Sequence, residues 1–287
     1  MTGSFLVAFD LDRTLIYSSG SAGPDAPADA RVVEVYDGAP LSRMTQRSWS
    51  LLGDLMRRDV VVPVTTRSVA QYQRVGLPAV PRHAITTNGG TLLVDGVPDA
   101  DWRDESFALA AQSAPLAEMN AVLAAVAGEP WVKLVRDVED LFCYLVAHSR
   151  ELIPEAWVAE LETLAEQGGW TVSVQGRKVY VVPAGLGKGS AVERLVRRLP
   201  DGGATITLAS GDSLLDAGML EAAHHALRPA HGELHDSGWA ASAHVGVTKA
   251  TGILAGEEIL AWALGHVSPS SAVPGTPSPH AGCVANA

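Results

Sequence analysis

At 287 residues the chain is too long for one small domain, and its 47% hydrophobic and 18% charged content describes a globular protein with enough apolar matter for a real core. A net charge of −11 with no basic run to offset it argues against nucleic acid as a partner. No apolar run reaches membrane-spanning length, the N-terminus lacks a basic region and cleavage site, and Cys143 and Cys283 alone form no disulfide framework, so a reducing, cytoplasmic setting is expected.

Phe5–Phe9 is an apolar run of strand length that ends in Asp10, Asp12 and Thr14. Residues two apart on an extended segment point to the same side, so both carboxylates can face one pocket. Two like charges that close are costly unless a cation or a shared proton relieves them; a solvated acidic turn is the plainer reading of this stretch alone. Tyr17–Ala30, rich in Ser, Gly, Pro and Ala, reads as a loop, and Arg31–Tyr36 followed by Asp37-Gly38 as a hairpin that leans over the acidic turn. Ser42–Arg58 has helical spacing, and Val60–Val64 is a second buried strand, with Pro63 tolerable only near its end. That strand stops in Thr65-Thr66-Arg67-Ser68, where Thr66 or Ser68 can cap a helix over Val69–Val75. Ala84–Thr87 is a third strand, closed by Asn88-Gly89-Gly90. Alternating strands and helices predict a parallel sheet covered on both faces, with ligands bound beyond the carboxyl ends of its strands.

The pattern changes after Gly90. A helical stretch over Phe107–Ala127, strands at Trp131–Arg136 and Leu141–His148, a helix over Pro154–Glu166 and strands at Trp170–Gln175 and Lys178–Val182 predict an antiparallel sheet with helices on one face. Gly185–Ser190 is a Gly-rich loop that opens a helix over Ala191–Leu199 but does not have Walker A spacing. Thr205–Ala209 is a strand ending in Ser210-Gly211-Asp212-Ser213, with Asp216 one helical turn beyond Asp212. His224, His225, His231 and His235 match no zinc signature. Thr251–Leu264 reads as a final helix, and the polar composition from His266 onward predicts a disordered tail.

These pieces resemble the haloacid dehalogenase (HAD) superfamily. Asp10–Thr14 (DLDRT) is similar to its DxDx(T/V) motif, Thr65 to its hydroxyl motif, Lys188 in GKG to its lysine motif, and Gly211-Asp212-Ser213 through Asp216 to its GDxxxD motif. Asn88-Gly89-Gly90 resembles the turn that precedes the large inserted cap of Cof-type and sucrose-phosphate-phosphatase-like members. The resemblance implies an α/β fold, a Rossmann-like parallel-sheet HAD core with an inserted α+β cap. The expected divisions are core 1–90 and 184–265, cap 91–183 and tail 266–287. It also implies a phosphatase acting on a small phosphorylated metabolite, sugar phosphates first, through an aspartyl-phosphate. A phosphomutase or a catalytically idle binding protein is the alternative.

In that reading Asp10 is the nucleophile, Asp12 the proton donor and acceptor, and Lys188 and Thr65 hold the phosphate, joined by Arg67 and Asn88. Mg²⁺ is held by Asp10, Asp12 through its main-chain carbonyl and Asp212, with Asp216 direct or through water. Departures from the pattern are Arg13 where many members have Gly, Thr66 for Gly, Leu215 for Asn, and a long Tyr17–Tyr36 segment. Cap cations Lys133, Arg136, Arg177 and Lys178 are candidates for substrate contact, although strand-face charges are commonly solvated.

Overall fold

The structure, a computed structural model, describes residues 4–58, 60–200 and 205–267. The chain begins with β1 (Phe5–Phe9) and the hairpin β2 (Arg31–Tyr36) and β3 (Ala39–Met44), whose turn residues Asp37 and Gly38 both take positive φ. Helix α1 (Gln46–Met56) follows, capped by Thr45, so Ser42–Met44 belong to a strand and not to the expected helix. Next come β4 (Val61–Pro63), α2 (Val69–Tyr72), β5 (His83–Thr86), β6 (Thr91–Val94) and β7 (Val97–Pro98). Ser68 caps α2 in a reciprocal box with Gln71. Pro63 ends its strand, where its missing N–H is tolerated.

Helices α3 (Ala100–Ala110) and α4 (Leu116–Ala125) replace the single predicted helix. Pro115 cannot continue the first, and Asp99 caps α3 well before the apolar pattern begins. Strands β8 (Val132–Val138) and β9 (Phe142–Ala147), helix α5 (Glu155–Gln167), and strands β10 (Trp170–Gln175) and β11 (Lys178–Pro183) complete the middle of the chain. Then α6 (Lys188–Arg198), β12 (Ile206–Ser210), α7 (Ala217–Ala222), β13 (His225–Arg228), α8 (Glu233–Asp236), β14 (Val245–Val247) and α9 (Ile253–Val267) close it. The last helix takes in His266 and Val267, and the remainder of the expected tail lies outside the described residues. No helix among the described residues is long and apolar enough to cross a membrane.

The main sheet is parallel, in the order β14-β13-β12-β1-β4, and a bridge between Val64 and Ile85 attaches β5 beyond β4. Strand alternation sends Val7 and Phe9 of β1 to one face, where Leu52 and Leu55 of α1 and Ile259, Leu260 and Ala263 of α9 cover them. Leu6 and Ala8 face the other way, onto Ala191 and Leu195 of α6 and Met219 and Leu220 of α7. The chain builds outward from β1 through β4 and β5, then returns to its other side with β12. The carboxyl end of β1 is therefore a topological switch point, the place where such sheets bind ligands.

The second sheet is antiparallel, in the order β10-β11-β9-β8, and one face packs on α4 and α5 through Leu123, Leu161 and Ala165. This is the inserted α+β cap. Its start differs from the boundary expected at residue 90: Thr91–Val94 pairs antiparallel with β5, and Trp102 is fully buried in the core beside α6. The cap's own apolar cluster begins with Phe107 and Leu109, later in the same helix. On the return, a Cβ at Gly185 would stand 3.0 Å from the Leu109 carbonyl oxygen, so the entering and leaving chains lie side by side.

Candidate active site

Asp10 ends β1, and its amide donates to the Ser210 carbonyl at 2.9 Å, which fixes the ends of β1 and β12 together. Beyond it the chain coils tightly: the amides of Thr14, Leu15 and Ile16 all point to the Leu11 carbonyl. That coil puts Arg13 in the left-handed region, φ 62. A residue with a Cβ pays roughly 1–2 kcal/mol there, which is a physical reason for the glycine common at this place. His231 braces the same turn. Its Nε2 donates to the Arg13 carbonyl at 2.8 Å while its Nδ1 accepts from the Gly252 amide at 3.1 Å, and burial keeps the ring neutral by lowering its pKa.

Lys188, on the first turn of α6 and 1% exposed, donates from Nζ to Asp10 Oδ1 and to Asp216 Oδ1, each at 2.6 Å. Burial opposes its charge, but the two carboxylates outweigh that and raise its pKa, so it stays an ammonium. Asp216 uses its other oxygen to accept from the amides of Asp212 and Ser213 and from the Ser213 hydroxyl. Gly211 is required for this turn, since a Cβ there would run into the Asp216 carboxylate. Thr14 Oγ1 donates to Asp10 Oδ2 at 3.2 Å.

Asp10, Asp212 and Asp216 each present an oxygen within 4.8 Å of the others, and all three are buried. Burial, then Asp216 and Asp12, push the Asp10 carboxyl up to about 7 against the pull of Lys188. Burial together with Asp10 and Asp216 raises Asp212 as well, and Arg13, with Nε 3.4 Å from its carboxylate, opposes this only in part. Crowded, buried hard oxygens that resist joint ionisation fit a small divalent cation.

Asp12 points elsewhere. Arg67 grips it bidentately, Nε to Oδ2 at 2.7 Å and Nη2 to Oδ1 at 2.8 Å, and its Nη1 reaches the fully buried Glu34 at 2.8 Å. Burial would raise the Asp12 pKa, but its side chain is 43% exposed and the guanidinium prevails, holding the carboxyl down to about 2. Thr65, fully buried, accepts from the Arg67 amide at 3.2 Å and sits beside the strand end.

Two expected phosphate-binding residues have other partners. Arg67 is committed to Asp12 and Glu34. Asn88, in a left-handed turn, donates to the Leu186 carbonyl at 3.2 Å and so ties its loop to the segment just before Lys188. Asp12, Arg13, Arg67 and Asp212 line a cleft of about 950 Å³ between core and cap, whereas Asp10, Thr65, Lys188 and Asp216 do not reach its lining.

Two further carboxylates bridge core and cap. Glu139, in the β8–β9 turn, accepts from the Val69 amide (2.9 Å) and from the hydroxyls of Thr87 (2.9 Å) and Thr91 (3.1 Å). Glu233 of α8 accepts from Ser173 Oγ and the Val174 amide of the cap and from the Leu214 amide of the core. Sequence reasoning missed Glu34, Glu139, Glu233 and His231, because each acts on a partner distant in the chain. Only the positive-φ turn at Glu139-Asp140 leaves a local trace, as the polar break between two strands.

No family model matches the chain, and no curated protein matches it. Solved structures do match. A sucrose-phosphatase from Synechocystis, solved with sucrose and phosphate, is 17% identical, covers 93% of this chain and 98% of its own, and has a TM-score of 0.60. The C-terminal domain of a C. albicans trehalose-6-phosphate phosphatase is 14% identical over 93% of this chain and 94% of its own, with a TM-score of 0.56. A sugar phosphatase of HAD subclass IIB is 14% identical over 92% and 98%, with a TM-score of 0.55. The chain has the fold of the HAD-superfamily phosphatases, a parallel-sheet core carrying an inserted α+β cap.

Proposed function

We propose that this protein is a Mg²⁺-dependent phosphatase of a small phosphorylated metabolite, with sugar phosphates the first class to test. The carrying observation is one buried cluster at the switch point: Asp10 and Asp216 bridged by Lys188, with Asp212 alongside. The neighbours named for sucrose phosphate, trehalose 6-phosphate and sugar phosphates favour the substrate class. Residues 107–185 act as the cap and the remaining described residues as the core.

Asp10 attacks phosphorus through Oδ2, which among the described residues only the Thr14 hydroxyl engages, while Lys188 holds Oδ1 and orients the carboxylate. The bond from phosphorus to the leaving oxygen breaks, and Asp12 supplies the proton that oxygen needs. Water then attacks phosphorus, Asp12 takes its proton, and the Asp10–phosphorus bond breaks to release inorganic phosphate. As it stands Asp12 is ionised but a weak base, because Arg67 occupies both its oxygens and holds the carboxyl down to about 2; both duties require that this pair loosen as substrate enters. Mg²⁺, held by Asp10, Asp212, Asp216 and the main-chain carbonyl of Asp12, would offset charge on the phosphoryl oxygens.

The test is phosphate release from p-nitrophenyl phosphate and a metabolite panel, with Mg²⁺ and with chelator. Asp10→Asn, nearly isosteric, should fold and lose turnover by at least about a thousandfold, as expected when a nucleophile is removed. Release by that variant at the wild-type rate would end the mechanism.

A further inference from the structure

The roof of the cleft is cationic. Strand register sets two rows of cap side chains across the sheet, Arg136–Tyr144–Tyr180–Ser173 and Leu134–Val146–Lys178–Gln175. Both rows lie on the face opposite Cys143, Leu145, Val179 and Val181, which pack in the apolar cluster shared with α4 and α5. Arg136 and Lys178 from these rows, with Arg177 from the adjoining turn, line the cleft, and no Asp or Glu of the cap does so. Lys133, out of step with the rows, stays outside it.

Among the described residues these three cations lack carboxylate pairs. Among the described residues Arg136 has no ion-pair partner, and the one hydrogen bond of the Arg177 side chain goes to the His148 carbonyl, at 3.3 Å. The Lys178 ammonium stands 5.8 Å from each of the Tyr144 and Tyr180 ring centres and faces Asp12 across the cleft. By contrast, the cations of the core wall are matched: Arg67 by Asp12 and Glu34, Arg74 by Glu34, and Arg13 by Asp212. A transferring phosphoryl group would meet Lys188 and the acidic cluster on the core side. The cap cations are therefore surplus to it. Arg136 and Arg177 are exposed and Lys178 is half-buried, and a neutral sugar offers no counter-charge to three cations gathered on one wall of a protein whose net charge is −11. A cleft of about 950 Å³ leaves room well beyond a single phosphate.

We propose that the substrate carries a second anionic group, a carboxylate or another phosphate, on the part that leaves, and that Arg136, Arg177 and Lys178 hold it. This rests on the phosphatase reading of the same site. Guanidinium forks match both anions bidentately, and the lysine adds a point charge between them and the reacting centre.

Matched pairs test it: 6-phosphogluconate against glucose 6-phosphate, and fructose 1,6-bisphosphate against fructose 6-phosphate, each as kcat/KM with Mg²⁺. The first pair asks for a carboxylate and the second for a phosphate. The expected result is a preference of about tenfold or more for the anionic member of at least one pair, the size of one charge-assisted bond, shrinking as salt is added. The double variant Arg136→Gln with Arg177→Gln should lose about tenfold more on the anionic member than on the neutral one. Equal or better use of the neutral member in both pairs, or an undiminished preference in the double variant, overturns the proposal. Calorimetric binding of the same four compounds to Asp10→Asn protein separates the two readings. If none of the four nor p-nitrophenyl phosphate is hydrolysed, the phosphatase reading falls. Binding then still decides: tighter binding of the anionic member supports the cap site, and equal binding removes it.

Discussion

Glu139 offers a direct measure of how firmly the cap is pinned to the core. Its carboxylate takes three donors, the Val69 amide at the start of α2 and the hydroxyls of Thr87 and Thr91, and is 21% exposed. Hydrogen bonds to a charged acceptor are worth about 1.5–3 kcal/mol each when sheltered. Two considerations bring the sum down for Glu139→Ala. The Val69 amide is a first-turn donor that water can serve, and the Thr87 hydroxyl already has Thr86 Oγ1 at 3.5 Å as a substitute. A net loss of about 2–3 kcal/mol is therefore expected, or roughly 4–10 °C in Tm for a protein of this size. Glu139→Gln keeps one carbonyl oxygen and should lose about half as much. Thermal unfolding supplies the first readout, and amide exchange at Val69 supplies a local one, which should quicken in the alanine variant. Wild-type Tm and unchanged exchange in Glu139→Ala would show that the turn merely rests on the core.

The Asp12–Arg67 pair has a definite pH sign: a carboxyl depressed to about 2 adds stability above its ordinary value near 3.8, and this is lost as pH falls through 2. Arg67→Gln should move the acid-unfolding midpoint to higher pH, and an unmoved midpoint would mean that solvent screening cancels the pair. Arg13→Gly should relieve the left-handed strain and remove the cation beside Asp212, tightening Mg²⁺ several-fold in titrations followed by Tm; weaker Mg²⁺ binding would show that Arg13 helps to assemble the acidic cluster. Trp102→Ala should cost about 3–5 kcal/mol, since it empties a fully buried site and frees the Gly89 carbonyl from the indole N–H. A loss under 1 kcal/mol in urea unfolding would contradict its place in the core.

Much of the fold was legible because the signals are local. The apolar run ending in Asp10, the Asp37-Gly38 turn and the alternating cap strands each carry their own periodicity. What stayed hidden depends on distant partners. Strands β13 and β14 have four and three residues and contain His and Gly, so only pairing with β12 and with each other marks them as strands. The Phe107–Ala127 stretch was one helix to composition, and Pro115 made it two. At the candidate site, motif spacing singles out Asp10, Asp212, Asp216 and Lys188, which the structure brings together, but not the pairings they make. Arg67 meets Asp12 across 55 positions, and nothing near either residue foretells their bidentate grip.

The side-by-side course of Leu109 and Gly185 has an architectural consequence. An inserted module whose two ends nearly touch behaves as a cassette: it can be lifted out or exchanged without stretching the sheet beneath. The natural cuts lie inside α3, beyond Trp102, and at Gly185, because the hairpin β6–β7 and the buried indole stay with the scaffold. A chimera joined there would pair one chemical engine with another roof, and a few residues would suffice to close the gap.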